Sequence, residues 1–554
     1  MGELLEFIAV ALLLLVHLSE HAGASQPEPE LAVELARLRR RPHLITILVD
    51  DWGFNNWGYH ANTTASKPEV STPNLDSLAS GGAVLDRHYV ACVCTPSRAA
   101  YQVGRNPLHV TADLAHASRF NSGDTISGFP GIPTEMTGIA EKLASAGYAT
   151  HFVGKWHVGH TSRRQLPRAR GWSKYLGFLF SGNDLWSYTI GNGMCGATAE
   201  ADDLTDLWED DGPALALKPP EHCSVNRQDG CVYEEELFEA RVTQTLKAHD
   251  AQRPLLLTYA PHSVHTPLQP PAALAGKYAF IDNDARRGYA ATVEDIDMRI
   301  GRIAQTLRDT GLWDNALVVV MADNGGPISA SGGASNHPLR GGKYSNLEGG
   351  VRGNAFVAGG FLPPAMRGTV LDGFVAIEDW YVTFCALAGV DPADARAARF
   401  NLPPVDGIDV WPYLSGQTAA SPRREVVLAL PTSGPGAAQA VIDAQGHKLM
   451  VGRIQVAAWS EAKHPTAATP TAARQPWGAC LFNVFEDPSE RNDIAAEHPA
   501  VVARLAKRLR ELQLTAFSPF RGDRVKSLEQ SLGCKTALSR YSSFEGPFLD
   551  LDAR

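Results

Sequence analysis

Apolar and polar positions along this chain fall into blocks. Leu44 to Val49 (LITILV) is an unbroken apolar, β-branched run that stops at Asp50-Asp51-Trp52-Gly53. A run of that length bounded by turn residues predicts a strand buried on both faces. Three more runs have the same form. Ala149 to Val153 ends at Gly154-Lys155-Trp156-His157, Leu255 to Tyr259 at Pro261-His262-Ser263-Val264-His265, and Ala316 to Met321 at Ala322-Asp323-Asn324-Gly325-Gly326. Apolar residues at helical spacing predict helices over Thr134 to Ala146 and Arg286 to Thr310, the second stopped by Gly311. Strand, polar cluster and helix alternate, which predicts an α/β domain with a large, mostly parallel mixed sheet between helices. In such sheets ligands bind beyond the carboxyl ends of the strands. The polar clusters fall there, so residues far apart in sequence can converge.

After about Gly416 the texture changes. Val441 to Val451 reads as a hairpin around Gln445-Gly446, His464 to Pro476 as a Thr/Ala/Pro-rich loop, and Pro499 to Leu514 as an amphipathic helix. This predicts a smaller C-terminal α+β subdomain with a short antiparallel sheet. At the other end, the apolar run Phe7 to Leu18 precedes Ala22-Gly23-Ala24 and a polar stretch. That order predicts a signal peptide, although the leading residues carry Glu3 and Glu6 rather than Lys or Arg. The run is short for a membrane span. The expected organisation is a signal peptide over 1–24, a lead over 25–42, a catalytic domain over 43–416 and a subdomain over 417–554. The expected location is the secretory pathway, secreted or lysosomal, with no stable membrane insertion after cleavage.

Composition narrows the class. Hydrophobic content of 44% and charged content of 20% suit a globular chain and exclude a disordered or collagen-like one. A formal net charge of −10 argues against nucleic acid as a partner. The eight cysteines include no C-x-x-C pair, which disfavours a zinc ribbon. In an oxidising compartment Cys223 and Cys231 could close a short loop. Asn62-Thr63-Thr64 is an N-glycosylation sequon.

The most specific segment is Cys94-Thr95-Pro96-Ser97-Arg98, with Gly104-Arg105 downstream. A lone cysteine is usually structural; C-x-P-S-R followed by G-R is the pattern read by the enzyme that generates formylglycine. With its other motifs in order from about His43 to Asp493, the chain resembles the type I sulfatases of the arylsulfatase group. Its spacing comes closest to the N-acetylgalactosamine 4-sulfatases and their relatives. Tyr101 and Val103 depart from the usual Leu and Thr. The resemblance implies an alkaline-phosphatase-like fold. It implies hydrolysis of a sulfuric ester of a sugar, glycosaminoglycan or aryl alcohol, and a formylglycine-generating enzyme as maturation partner.

The chemistry fits the residue types. An aldehyde hydrate carries two hydroxyls on one carbon: one attacks sulfur, and deprotonating the other expels sulfate. Pro96 can open a helix whose N-terminus favours an anion. Carboxylates at the ends of two apolar strands can supply the oxygens a hard cation needs. The resemblance assigns Asp50, Asp51, Asp323 and Asn324, with the residue derived from Cys94, to one Ca²⁺. It makes His157 the base, Lys155 a contact of the sulfate or nucleophile oxygens, and His265 and Lys343 sulfate contacts that steady or protonate the leaving oxygen. Arg98 adds a further positive charge to the site. Each cluster alone could be a strand-ending turn or a solvated loop; together they read as one site. Glu348 and Arg352 read as support, with structural salt-bridging the stronger reading. Two other functions compete: a phosphatase or phosphodiesterase on a related scaffold, which usually has a Ser or Thr nucleophile and His-rich metal sites, and an inactive glycan-binding protein.

Overall fold

The four apolar runs form the middle of one sheet. The computed structural model describes residues 41–61, 69–111, 131–190, 204–329, 331–428, 439–454, 456–460, 475–517 and 527–550, together with 114, 124, 126, 128, 129 and 195. The signal-peptide and lead segments and the sequon at Asn62 lie outside these residues, apart from 41 and 42. Pro42–Arg554 form one compact unit.

Its main sheet has ten strands: β1 (His43–Val49), β2 (Ala83–Leu85), β3 (Ala149–Gly154), β4 (Lys174–Gly177), β5 (Trp208–Glu209), β6 (Gly212–Pro213), β7 (Leu255–Ala260), β8 (Ala316–Ala322), β9 (Ala355–Ala358) and β10 (Thr369–Leu371). Their spatial order is β10-β2-β9-β8-β1-β7-β3-β4-β5-β6. The central strands β8, β1, β7, β3 and β4 run parallel, with antiparallel pairs towards each edge. Every residue of β1, β7 and β8 is buried, so both faces are covered, as the unbroken apolar runs require.

Helix α1 (Cys94–Val103) is buried along its whole length. Tyr101 on it donates to Thr46 Oγ1 on β1 at 3.0 Å and shares a hydrogen bond with Thr258 Oγ1 on β7 at 2.9 Å. α2 (Glu234–Ala248) packs against α3 (Asp284–Asp309), and α4 (Asp379–Ala388) against α1. The helix expected over Thr134 to Ala146 is shorter, running Ile139–Ser145. Tertiary contacts claim the residues before it: Thr137 gives its N–H and its hydroxyl to Asp394 at 2.7 Å each, and Arg170 Nη1 takes the Thr134 carbonyl at 2.7 Å.

The second sheet is antiparallel: β11 (Val426–Leu428), β12 (Gln439–Ile442), β13 (His447–Ile454) and β14 (Gln475–Asn483). Alternation sorts its side chains. Val441, Leu449 and Leu481 meet Leu505, Leu509 and Leu512 of α5 (Pro499–Leu514). Ala440, Ile442, Met450 and Phe482 meet Tyr89, Cys92, Leu347 and Val351, beneath the loops of the site described below. The expected loop over His464 to Pro476 gives up Gln475 and Pro476 to β14, because β13 continues to Ile454 and pairs with Gln475; the rest of it lies outside the described residues.

The Cys223–Cys231 disulfide is present, and a second joins Cys195 to Cys534 on α6 (Ser527–Arg540). From there the chain runs back against the loop after β3 and the strand at Leu204–Thr205: Glu545 N–H donates to Thr205 O at 2.8 Å and Phe548 N–H to Thr161 O at 3.1 Å.

Candidate functional site

Four loops at the carboxyl ends of β1, β3, β7 and β8 meet the first turn of α1. Backbone hydrogen bonds tie them: Asp323 N–H to Val49 O at 3.1 Å, Val264 N–H to Asp50 O at 3.1 Å, and Lys155 N–H to Ala260 O at 2.8 Å. Gly154 turns the chain out of β3 at φ 105°, where a Cβ would lie 1.9 Å from Ala260 O, so only glycine fits. Asp51 and His157 stand in the left-handed region at φ 57° and 48°, conformations that cost energy and concentrate at functional sites.

The Cys94 thiol donates to Asp50 Oδ1 at 3.4 Å. Lys155 Nζ is bonded to the other oxygen of Asp50, which Arg98 Nη2 approaches at 3.3 Å. Arg98 binds Asp323 Oδ2 through Nε and Nη2 at 2.9 Å each, and its Nη1 donates to Lys155 O at 3.1 Å. Arg98 is therefore a brace between two carboxylates and the β3 loop. Lys343 Nζ lies 2.8 and 2.9 Å from the two oxygens of Asp51, and Asn324 Nδ2 donates to Asp51 Oδ1 at 2.7 Å. His265 Nε2 is 3.7 Å from Asp51 Oδ2. His157 Nε2 is 3.3 Å from Thr95 Oγ1, next to Cys94. The structure thus brings together Asp50, Asp51, Cys94, Arg98, Lys155, His157, His265, Asp323, Asn324 and Lys343.

The electrostatics follow from burial and pairing. Burial raises Asp50, but Lys155, His265, Arg98 and Lys343 together hold its carboxyl well below the usual range. Burial and the neighbouring Asp50 push Asp323 up to about 7. Burial lifts the Cys94 thiol to about 12, helped by Asp50, so the thiol is protonated at neutral pH and a poor nucleophile as it stands. Burial, Lys155 and Arg98 hold His157 well below its ordinary value, leaving a neutral imidazole.

The donor set fits a hard divalent cation. Asp50, Asp51, Cys94 and His265 offer ligand atoms within 4.8 Å of one another. Asp323 Oδ1 accepts from Asp51 N–H at 3.2 Å. Asn324 Oδ1 is buried with no hydrogen-bond partner, a state that costs about 1–3 kcal/mol unless a cation takes the oxygen. Three carboxylates face three cationic side chains here.

Glu348 and Arg352 lie apart from this site. Glu348 accepts from Tyr89 OH and from Lys448 Nζ at 2.9 Å each, and Arg352 Nη2 pairs with Asp86 at 2.7 Å, the structural salt-bridging expected of them. Sequence reasoning missed Tyr289. Its buried hydroxyl donates to Asp51 O at 2.8 Å and accepts from Gly53 N–H at 3.0 Å, which holds Asp51 in its left-handed turn. Nothing in the α3 pattern distinguishes that tyrosine from a core residue.

Comparison with known proteins identifies the family and the fold. The family described as Sulfatase matches residues 42–390. Arylsulfatase J of Mus musculus is 32% identical over 504 residues, 86% of this chain and 76% of that protein. N-acetylgalactosamine-6-sulfatase of Mus musculus is 28% identical over 409 residues, 72% of this chain and 69% of that protein. Among solved structures, Ps i-CgsB in complex with k-i-k-neocarrahexaose shares the fold with a TM-score of 0.67 at 24% identity, over 91% of this chain and 99% of that one.

Proposed function

From the premise that the chain belongs to the sulfatase family, hydrolases of sulfate esters, we propose that Cys94, oxidised to formylglycine, is its nucleophile and that its substrate is a sulfated carbohydrate. The observation that carries this reading is the placement of Cys94 on Asp50 at the start of a buried helix, with Lys155 and Lys343 on the flanking carboxylates. That residue needs an anion-binding, electrostatically balanced floor, and these contacts provide one.

A formylglycine hydrate supplies two hydroxyls on one carbon, one to attack sulfur and one whose deprotonation releases sulfate. Asp50, Asp51, Asp323, Asn324 and the Cys94-derived residue would hold Ca²⁺, which would supply Lewis-acid polarisation of the sulfate. The chain's own residues do the rest. Lys155 and Lys343 hold the ester oxygens. His157, neutral and 3.3 Å from the hydroxyl of Thr95, the residue after Cys94, takes the proton from the second hydroxyl. His265 and Lys343 steady the leaving oxygen as charge moves onto it. Arg98 acts through Asp50 and Asp323.

The carbohydrate reading draws support from a relative named for N-acetylgalactosamine and a structural neighbour solved with neocarrahexaose. The apolar N-terminal run and two disulfides support passage through the secretory pathway, to a secreted or lysosomal destination. A formylglycine-generating enzyme is the maturation partner required.

The test is mass spectrometry of the tryptic peptide His88–Arg98 from a host that has the modifying enzyme, alongside sulfate release from sulfated sugars. Sulfur replaced by oxygen with loss of two hydrogens at Cys94 supports the nucleophile. An unmodified Cys94 in protein that still turns over sulfate esters overturns it.

A further inference from the structure

We propose that Tyr344 is a ring platform at the mouth of the site, against which the sugar carrying the sulfate stacks. This rests on the functional reading above and deepens it. Tyr344 follows the sulfate-contacting Lys343, yet the two differ sharply in environment. Lys343 is 5% exposed and Tyr344 is 36% exposed, beside buried Gly342 and Ser345. The backbone of Tyr344 stands at φ 72°, in the left-handed region that favours glycine. A bulky aromatic residue adopts it only at a cost, and such outliers concentrate at ligand sites.

The chain holds this strained residue in place on both sides. Tyr344 N–H donates to Cys92 O at 2.8 Å, Lys343 N–H to Gly326 O at 3.2 Å, and Ser345 N–H to Gly342 O at 3.0 Å. The ring centroid lies 5.7 Å from Lys343 Nζ, the nitrogen that itself sits 2.8 Å from Asp51. The Tyr344 hydroxyl also feels the charges of Lys343, Cys94, Asp51 and Asp50. A partly exposed aromatic beside the lysine proposed to hold the sulfate suits the group attached to that sulfate. A pyranose offers an apolar C–H face whose positive hydrogens match the negative face of a phenol ring.

The competing explanation is internal: at 5.7 Å the ring is near the outer limit of a cation–π contact and could serve Lys343 alone. One set of measurements separates the two. Tyr344→Phe and Tyr344→Gly proteins are compared with wild type for KM on a sulfated chondroitin disaccharide and for competitive inhibition by inorganic sulfate. Tyr344→Gly suits the left-handed backbone, so loss of folding does not confuse the result, and Tyr344→Asn is the second variant if it does. Expected are a KM raised on the order of threefold to tenfold in Tyr344→Gly, near-normal KM in Tyr344→Phe, and an unchanged inhibition constant for sulfate. Equal weakening of disaccharide and sulfate overturns the platform in favour of the Lys343 contact. An unchanged KM in Tyr344→Gly overturns it outright. A modified wild-type protein that neither binds sulfate nor cleaves any sulfate ester overturns the functional reading itself, and the platform with it.

Discussion

His160 Nε2 lies 3.1 Å from Glu545 Oε1, joining the loop after β3 to the last stretch of the chain, and both side chains are buried. His157 stands three residues earlier on that loop. The C-terminal stretch therefore buttresses the segment proposed to carry the base. Glu545→Ala leaves a buried imidazole unpaired, at an expected cost of about 1–3 kcal/mol. Glu545→Gln keeps an acceptor and costs less. Thermal denaturation of the two variants checks this; equal midpoints for Glu545→Ala and wild type would sink it.

Tyr101 makes a second long-range claim. Its hydroxyl sits between Thr46 and Thr258, all three buried, and burial lifts it to about 12. Tyr101→Phe should destabilise by about 1–2 kcal/mol, because two buried hydroxyls lose a partner. Combining it with Thr46→Val and Thr258→Val should cost less than the three single losses added, since contacting residues are not independent. Denaturant unfolding of the set measures the coupling. Strict additivity would mean the three hydroxyls do not act together.

These two residues mark how far the sequence could be read. The central strands were legible because strands buried on both faces leave unbroken apolar runs, and the residues that end them were legible because Asp, Asn, Gly, Lys and His break such runs abruptly. The resemblance gathered them into one site. Tyr101 could be read as a departure from the family's Leu, but not as half of a compensated set whose partners lie 55 and 157 positions away. Arg98 could be read as a cation, but not as a brace facing Asp323 rather than an open anion site. The helix start at Ile139 was lost for a similar reason: Asp394 and Arg170 decide it, and local periodicity carries no record of either.

Stability should depend on pH through Glu234. It is fully buried between His262 Nδ1 at 3.1 Å and Asn183 Nδ2 at 2.8 Å, and burial raises its pKa from 4.5 to about 8. Burial lowers His262 to about 4, so near neutrality the one shared proton rests on the carboxyl. Folded Glu234 then keeps a proton that it releases above pH 4.5 when unfolded; His262, lowered from 6.5, works in the opposite sense, and comparison at fixed His262 isolates the carboxyl. Its contribution is full below that pH and is lost as pH rises towards 8, by about 1.4 kcal/mol per unit at most. The advantage of wild type over Glu234→Gln should shrink across that window in denaturant titrations. A gap that widens with pH would contradict the sign.

The metal reading turns on Asn324. Asn324 Oδ1 is a buried acceptor without a partner, next to three carboxylates whose charge Lys155, Lys343 and Arg98 already offset. A cation that takes this oxygen stabilises the folded state by mass action, about 2.7 kcal/mol at a hundred times its Kd. Chelation should therefore lower the melting temperature and added Ca²⁺ restore it. Asn324→Leu removes the oxygen but leaves Cys94 and its motif intact. It should weaken the Ca²⁺-dependent shift while modification of Cys94 proceeds, so metal binding and maturation separate in two readouts. A wild-type melting temperature that ignores both chelator and Ca²⁺ would leave the orphan oxygen as plain strain, and the three carboxylates as counterions of the lysines and arginine alone.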